Sequence, residues 1–120
     1  MRRPVPPGER RDREERTVAA ARAFAGGDGA FHDLNPAWDE AFLDACATGD
    51  LERFAAQPVS WYVEQAGHSS HEVRTWLAAY AALGVHGPHE VTDRYYRPIR
   101  EWFAGYGVTT AVPAGAGVRA

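Results

Sequence analysis

The chain of 120 residues has one cysteine, no lysine, five leucines and one isoleucine. The lone Cys46 excludes an internal disulfide framework and any Cys-x-x-Cys metal site built from this chain. No apolar run approaches the roughly 20 residues that a membrane-spanning helix needs. The Arg- and Pro-rich start lacks the apolar segment of a signal peptide. These absences predict a cytoplasmic protein without a membrane partner.

The charge distribution argues against a nucleic-acid partner. All 13 basic residues are arginine, and residues 17–120 carry seven of them against twelve acidic residues. The resulting net charge of −5 over that stretch would repel a phosphate backbone. Residues 1–16 carry the opposite sign, with a net charge of +2.

Aromatic residues must supply most of the core, because large aliphatic residues are scarce. The 14 aromatic side chains each bury a large area, whereas alanine, the most abundant residue with 22 copies, buries little. The chain is long enough for one domain, which would bury roughly two-thirds of its unfolded surface.

Helical signals dominate the first two-thirds of the chain. Asn35 is a favourable N-cap, Pro36 suits the first helical position, and Gly49 ends the pattern. Asp50, and either Ser69 or Ser70, are expected to cap later helices. The predicted helices span residues 10–25, 36–47, 51–56, 58–66 and 71–83.

A change of composition after Gly84 predicts a small β element between about residues 90 and 108. Residues 90–99 mix valine, threonine and aromatic residues and predict a strand, with a second strand or a turn in 100–108. Residues 109–120 are expected to be a disordered tail, and residues 1–33 a flexible, partly helical lead. The expected fold class is mostly α with a small β element (α+β).

The densest run of potential metal ligands is His68-Ser69-Ser70-His71-Glu72. Imidazole and carboxylate together suit zinc, iron or manganese. However, His71 and Glu72 are neighbours and would point about 100° apart on a helix, so a complete local site has poor geometry. Solvated polar residues at a helix start are the simpler interpretation, and an independent His/Glu metal hydrolase stays a minor alternative.

The remaining candidate residues are better explained by structure. His86 and His89 flank a Gly-Pro loop without a nearby acid at ligand spacing. Cys46 sits among alanines, where a small apolar filler is expected, and His32 has no partner in sequence. No nucleophile elbow, phosphate-binding loop or dinucleotide-binding glycine pattern is present.

Three stretches in order carry a resemblance to a known family: LNPAWDEAFLDACATGDLERF (34–54), EQAGHSSHEVRTWLAAYAALG (64–84) and RYYRPIREWFAGYGV (94–108). They resemble the C-terminal part of the class III extradiol ring-cleavage dioxygenases, specifically their B-type subunit. The resemblance covers residues 34–108 and implies that the chain is the C-terminal portion of a larger α/β dioxygenase fold.

The resemblance implies a mononuclear non-haem Fe(II) held by two histidines and one glutamate, with a catecholic substrate, O₂ and a separate acid-base histidine. The family's glutamate ligand falls on Glu72, and Arg74 and Trp76 also match the family pattern. The family's histidines lie upstream of the matching region, and the resemblance assigns none of them to a histidine of this chain. Fe(II) is therefore expected in the complete family enzyme rather than in this chain by itself.

Two interpretations follow from the resemblance. In the first, the chain is part of a truncated, split or mis-started dioxygenase, and an upstream polypeptide brings the missing histidines. In the second, it is a non-catalytic helical binding or assembly module. Either would leave an aromatic face partly exposed and favour self-association or a partner. That face is expected to comprise Trp38, Phe42, Trp61, Trp76 and Tyr80.

Overall fold

The computed structural model describes residues 3–27, 33–67 and 70–114, which form five α-helices and one β-hairpin. The helices are α1 (Pro7–Ala25), α2 (Pro36–Thr48), α3 (Glu52–Ala55), α4 (Val59–Ala66) and α5 (Arg74–Leu83). The strands are β1 (His89–Ile99) and β2 (Ala104–Pro113), and 3₁₀ helices cover Ser70–Val73, Gly84–His86 and Arg100–Trp102. The predicted fold class, mostly α with a small β element, is confirmed. None of the described helices is long and apolar enough to cross a membrane.

Helix α2 begins and ends at the residues that local chemistry predicts. The Asn35 side chain accepts a hydrogen bond from the Trp38 backbone N–H at 3.2 Å, which satisfies a donor of the first turn. Gly49 ends the helix with φ of 82°, a left-handed conformation that favours glycine. Asp50 does not cap α3, because the N-cap position is Leu51 and no side chain caps that helix.

The core is built from aromatic rings of α2, α3 and α4. Phe54 and Tyr62 are fully buried, and Trp38 packs edge-on against both at ring-centroid distances of 5.7 and 5.9 Å. The Tyr62 hydroxyl donates a hydrogen bond to the Phe54 carbonyl at 2.5 Å, so this polar tip is satisfied inside the core. The aromatic core is thus formed by side chains of the chain's own helices.

This packing corrects the expectation of an exposed aromatic face. Trp38, Phe42 and Tyr80 are buried, whereas Trp61 and Trp76 are half-buried and pack against the same cluster. The expectation was wrong for Trp38, Phe42 and Tyr80 because α2, α4 and α5 turn these side chains toward one another. Among the described residues, the exposed aromatic side chains Tyr95, Trp102 and Tyr106 lie instead on the β-hairpin and its turn.

The hairpin pairs β1 with β2 in antiparallel register, from His89 opposite Pro113 to Ile99 opposite Ala104. Strand β2 corrects the predicted tail, since residues 109–113 belong to the strand and residues 115–120 lie outside the described part. Cross-strand pairing explains the difference, together with the Thr109 hydroxyl, which hydrogen-bonds the Tyr80 hydroxyl of α5 at 2.6 Å. The turn between the strands contains Phe103, whose φ of 63° is unusual for a non-glycine residue.

Polar contacts fasten the inner face of the hairpin to α2. The Arg94 guanidinium donates to Asp44 at 2.7 Å and to Glu40 at 2.5 Å. At the other end of β1, the His89 ring nitrogen lies 2.7 Å from the Cys46 carbonyl oxygen. These contacts hold the hairpin at a fixed distance from α2.

Helix α1 packs its C-terminal end on the hairpin turn. Phe24 is fully buried, and its ring lies 5.7 Å from that of Phe103. The Arg100 guanidinium stacks 4.9 Å from the centre of the Phe24 ring and donates to the Phe24 carbonyl at 3.1 Å. The helix begins at Pro7, three residues before the predicted start, since proline is tolerated in a first turn.

Cys46 is a structural thiol, as its alanine-rich surroundings predict. The side chain is fully buried, and this burial raises the pKa of the thiol to about 11. At pH 8, we expect dithiobis-nitrobenzoate to label the folded chain on the order of 100-fold more slowly than the chain unfolded in urea, since only the thiolate reacts. Equal labelling rates for the folded and the unfolded chain would contradict this account of Cys46.

Candidate functional site

An open cleft of about 530 Å³ lies between α2, the 3₁₀ helix Ser70–Val73 and the hairpin. Seven of its nineteen lining residues are aromatic, and two carboxylates, Asp39 and Glu72, line it. Each of the three resembling stretches contributes to the cleft: Asp39 from the first, Glu72 from the second, and Tyr96 and Gly105 from the third. The aromatic lining residues include Trp38, Phe42, Trp76, Tyr96, Trp102 and Phe103.

Glu72, the one predicted metal ligand, lies in the 3₁₀ helix at the cleft and is exposed. The Ser70 hydroxyl holds this segment, because it lies 2.6 Å from the Tyr62 carbonyl and 2.7 Å from the Gly67 carbonyl. Ser70 therefore bonds backward to α4 instead of capping α5, which has no side-chain cap. The predicted helix 71–83 is divided for this reason, with its first residues in a 3₁₀ helix.

Asp39 and Tyr96 form a partly buried hydrogen-bonded pair on the cleft wall. The Tyr96 hydroxyl donates to Asp39 Oδ2, and both residues are only partly accessible. Burial raises the pKa of the Asp39 carboxyl, while the Tyr96 hydrogen bond opposes that rise. Burial first and the Asp39 hydrogen bond second raise the pKa of the Tyr96 hydroxyl. This hydrogen bond joins α2 to β1 beside the cleft.

Gly105 permits this pair to form. A Cβ atom at Gly105 would overlap the Tyr96 hydroxyl and the Asp39 carboxylate, and would lie 2.8 Å from Tyr96 Cε2. Real Cβ atoms do not approach other atoms so closely, so the absence of a side chain at this position lets the two polar groups meet. Pro98 stands opposite Gly105 in the register of the hairpin.

One donor at the cleft has no acceptor. The indole Nε1 of Trp38 is buried, and no residue of the described ranges accepts a hydrogen bond from it. A buried N–H group without an acceptor costs free energy, on the order of 1–3 kcal/mol.

Comparisons with known proteins match this arrangement of motifs. The chain is 57% identical over 104 residues to a "2,3-dihydroxyphenylpropionate/2,3-dihydroxicinnamic acid 1,2-dioxygenase" of Rhodococcus sp., covering 87% of this chain and 33% of the relative. Proteins of the same name from Rhodococcus rhodochrous and Paraburkholderia xenovorans are each 52% identical, over 92% and 84% of this chain and 35% and 32% of theirs. The chain is therefore similar to about a third of each of several extradiol ring-cleavage dioxygenases. No family model matches it.

The chain spans about a third of the length of these dioxygenases. The match of 104 residues is also longer than the segment 34–108 that carries the resemblance, so similarity to the dioxygenases continues into the flanking residues.

The donor set of the described residues does not complete an iron site. In the ranges 3–27, 33–67 and 70–114, no group of three or more His, Cys, Asp or Glu side chains could hold a metal ion. His89 contacts the Cys46 carbonyl and the Tyr80 ring, and His71 and His86 are exposed. His32, His68 and Ser69 lie outside the described residues. The assignment of Glu72 as a metal ligand, which the resemblance implies, stays a prediction.

Sequence reasoning did not single out Asp39, Tyr96 and Gly105. Asp39 follows Trp38 in the stretch NPAWD, where a carboxylate in a first helical turn has a sufficient structural explanation. Tyr96 and Gly105 lie in the stretch RYYRPIREWFAGYG, which carried the resemblance as a whole. The usable signal was that all three lie within the resembling stretches, but their proximity arises only in the folded chain.

Proposed function

We propose that this chain is the C-terminal part of a non-haem Fe(II) extradiol ring-cleavage dioxygenase that acts on catecholic aromatic compounds with O₂. The observation that carries the proposal is the 57% identity over 104 residues to a relative whose name specifies a 1,2-dioxygenase of dihydroxylated aromatic acids. The three resembling stretches also meet at one aromatic cleft, which supports a shared function for them.

In this proposal, Glu72 is the carboxylate that the chain contributes to the iron. Its position at the cleft and its fixation through Ser70 support this role. Two neutral imidazoles and one carboxylate leave adjacent coordination positions open, which is the ligand set typical of non-haem Fe(II) oxygenases. The two histidines would come from the polypeptide that corresponds to the rest of the relatives.

The other cleft residues are proposed to maintain the shape of the cleft and to contact the substrate. The Asp39–Tyr96 hydrogen bond and the Arg94 ion pairs hold the hairpin at a set distance from α2 and so maintain the cleft. The aromatic walls provide the apolar surface against which a catecholic ring packs. We further propose a cytoplasmic location, which the free and buried Cys46 thiol supports.

The test is a chimaera in which this chain replaces the matching third of the Rhodococcus sp. dioxygenase. We expect the chimaera, loaded with Fe(II) under anaerobic conditions, to consume O₂ when 2,3-dihydroxyphenylpropionate is added. A folded, iron-loaded chimaera that consumes no O₂ would contradict the proposal. That result would favour the alternative of a non-catalytic binding or assembly module.

A further inference from the structure

The hairpin has an outer face that no described residue covers. We define this outer face as Tyr95, Arg97, Tyr106 and Val108, together with Trp102, whose ring packs edge-on against Tyr106 at 5.5 Å. Tyr95, Trp102, Tyr106 and Val108 are 55%, 61%, 42% and 61% exposed. In the register, Tyr95 stands opposite Val108, and Arg97 opposite Tyr106, so these side chains form one continuous surface.

Along the strands the outer face alternates with the face that packs on the helices, and at its edges Tyr106 reaches the cleft and Val108 borders a groove beside α5. Residues that alternate with it along the strands, among them Tyr96 and Thr109, contact α2 and α5. A hairpin whose inner face already has its partners still presents several large apolar groups to water. Contiguous exposed apolar surface of this kind marks an interaction site more often than a solvated surface.

The backbone of the hairpin is also incompletely paired. Within the described ranges the sheet consists of β1 and β2 alone, so neither strand has a neighbour on its outer edge. The strands are 11 and 10 residues long, and long open edges are places where another chain pairs. Two-stranded sheets are also marginally stable without further packing.

We propose that the outer face is the docking surface for the polypeptide that corresponds to the other two-thirds of the relatives. Two observations favour this occupant over a second copy of the chain. The chain spans only about a third of each relative, so a much larger polypeptide remains to be placed. In addition, Trp102 and Tyr106 belong to both the outer face and the cleft.

The shared residues connect the docking surface to the site of Glu72. A polypeptide seated on the outer face reaches the rim of the cleft at Trp102 and Tyr106, where it can present side chains toward Glu72. This deepens the proposed function and rests on it, since that function requires a second polypeptide region to supply histidines. Arg97 forms no ion pair with a described residue, so we expect the docked surface to be apolar with a carboxylate opposite Arg97.

The test measures association, with neither iron nor substrate present. The full 120-residue chain is co-expressed with the remaining two-thirds of the Rhodococcus sp. relative, and the complex is isolated and its affinity measured. We expect Val108→Asp, on the outer face, to weaken association at least about tenfold, as for a central interface residue. Val85→Asp is the matched control, because Val85 is 71% exposed in the 3₁₀ helix Gly84–His86 and outside the outer face. We expect this control to leave the affinity unchanged.

Hydrogen exchange provides a measurement that needs no variant. We expect amides of residues 89–113 to gain protection when the chain is in the complex, since the strand edges and the outer face are then covered. Absence of a complex, unchanged protection of the hairpin, or equal effects of Val108→Asp and Val85→Asp would each overturn the proposal. Self-association through the outer face that excludes the second polypeptide would also overturn it and would identify a second copy as the occupant.

The two proposals can fail separately. A complex that forms through the outer face but consumes no O₂ once loaded with Fe(II) would leave the docking surface standing and contradict the dioxygenase function. Conversely, an active chimaera whose hairpin stays unprotected from exchange would leave the function standing and contradict the docking surface.

Discussion

Glu72→Gln in the chimaera is expected to lower the rate of O₂ consumption by more than about 100-fold. Glutamine keeps the size of the side chain but removes its negative charge, and a neutral amide oxygen is a much weaker ligand for Fe(II). Even residues that only support a metal ligand cost 10–100-fold when mutated, so loss of a ligand should cost more. The measurement is O₂ uptake with 2,3-dihydroxyphenylpropionate, together with the iron content of the purified protein.

Glu52→Gln is the control for this prediction. Glu52 also lies in the first turn of a short helix and is exposed, but it is not among the residues that line the cleft. Both substitutions remove a carboxylate that complements a helix dipole, so both carry the same small structural cost. If Glu72→Gln retained iron and activity to the same extent as Glu52→Gln, the assignment of Glu72 as a ligand would be wrong.

Gly105→Ala is expected to lower the free energy of unfolding of the chain by about 2 kcal/mol, the usual cost of overpacking. The new methyl group would occupy the space in which the Tyr96 hydroxyl meets Asp39, so the hairpin must move away from α2 or the hydrogen bond must break. For a domain of this size the loss corresponds to a decrease of about 8 °C in the unfolding midpoint. Thermal unfolding followed by circular dichroism gives that midpoint.

Gly107→Ala tests whether the effect of Gly105→Ala comes from the pair rather than from the strand. A Cβ atom at Gly107 would make ordinary contacts of 3.6 and 3.7 Å with the Leu43 methyl groups and 3.7 Å with Trp76. Alanine is also less costly than glycine inside a strand. We therefore expect no loss of stability from Gly107→Ala, and equal losses at both positions would refute the explanation through Asp39 and Tyr96.

Local signals in the sequence were sufficient where the determinants lie within a few residues. Asn35, Pro36 and Gly49 set the ends of α2 through capping and a left-handed glycine, and the structure confirms these positions. The three stretches that resemble extradiol dioxygenases could also be recognised without a structure, because a motif and its order along the chain are read directly from the sequence. The start of β1 was predicted within one residue, because its composition changes sharply after the preceding loop.

Errors arose where the determining contact comes from elsewhere in the chain. Ser70 was expected to cap a helix, but the carbonyls of Tyr62 and Gly67 accept from its hydroxyl instead, and a 3₁₀ helix results. Residues 109–113 were expected to belong to a disordered tail. They are ordered by pairing with β1, which a local reading of the sequence does not reveal.

The sequence by itself predicted the fold class and the similarity to extradiol dioxygenases, and both are confirmed, whereas Glu72 as a metal ligand stays a prediction. Only the tertiary structure decided that Asp39 and Tyr96, 57 residues apart, form a hydrogen bond in the space that the missing side chain of Gly105 leaves free. The tertiary structure also decided that most aromatic side chains of the helices are buried, while those on the outer face of the hairpin are exposed. The physical reason is that capping and strand propensity act over a few residues, whereas burial and hydrogen bonding between distant elements depend on how the whole chain packs.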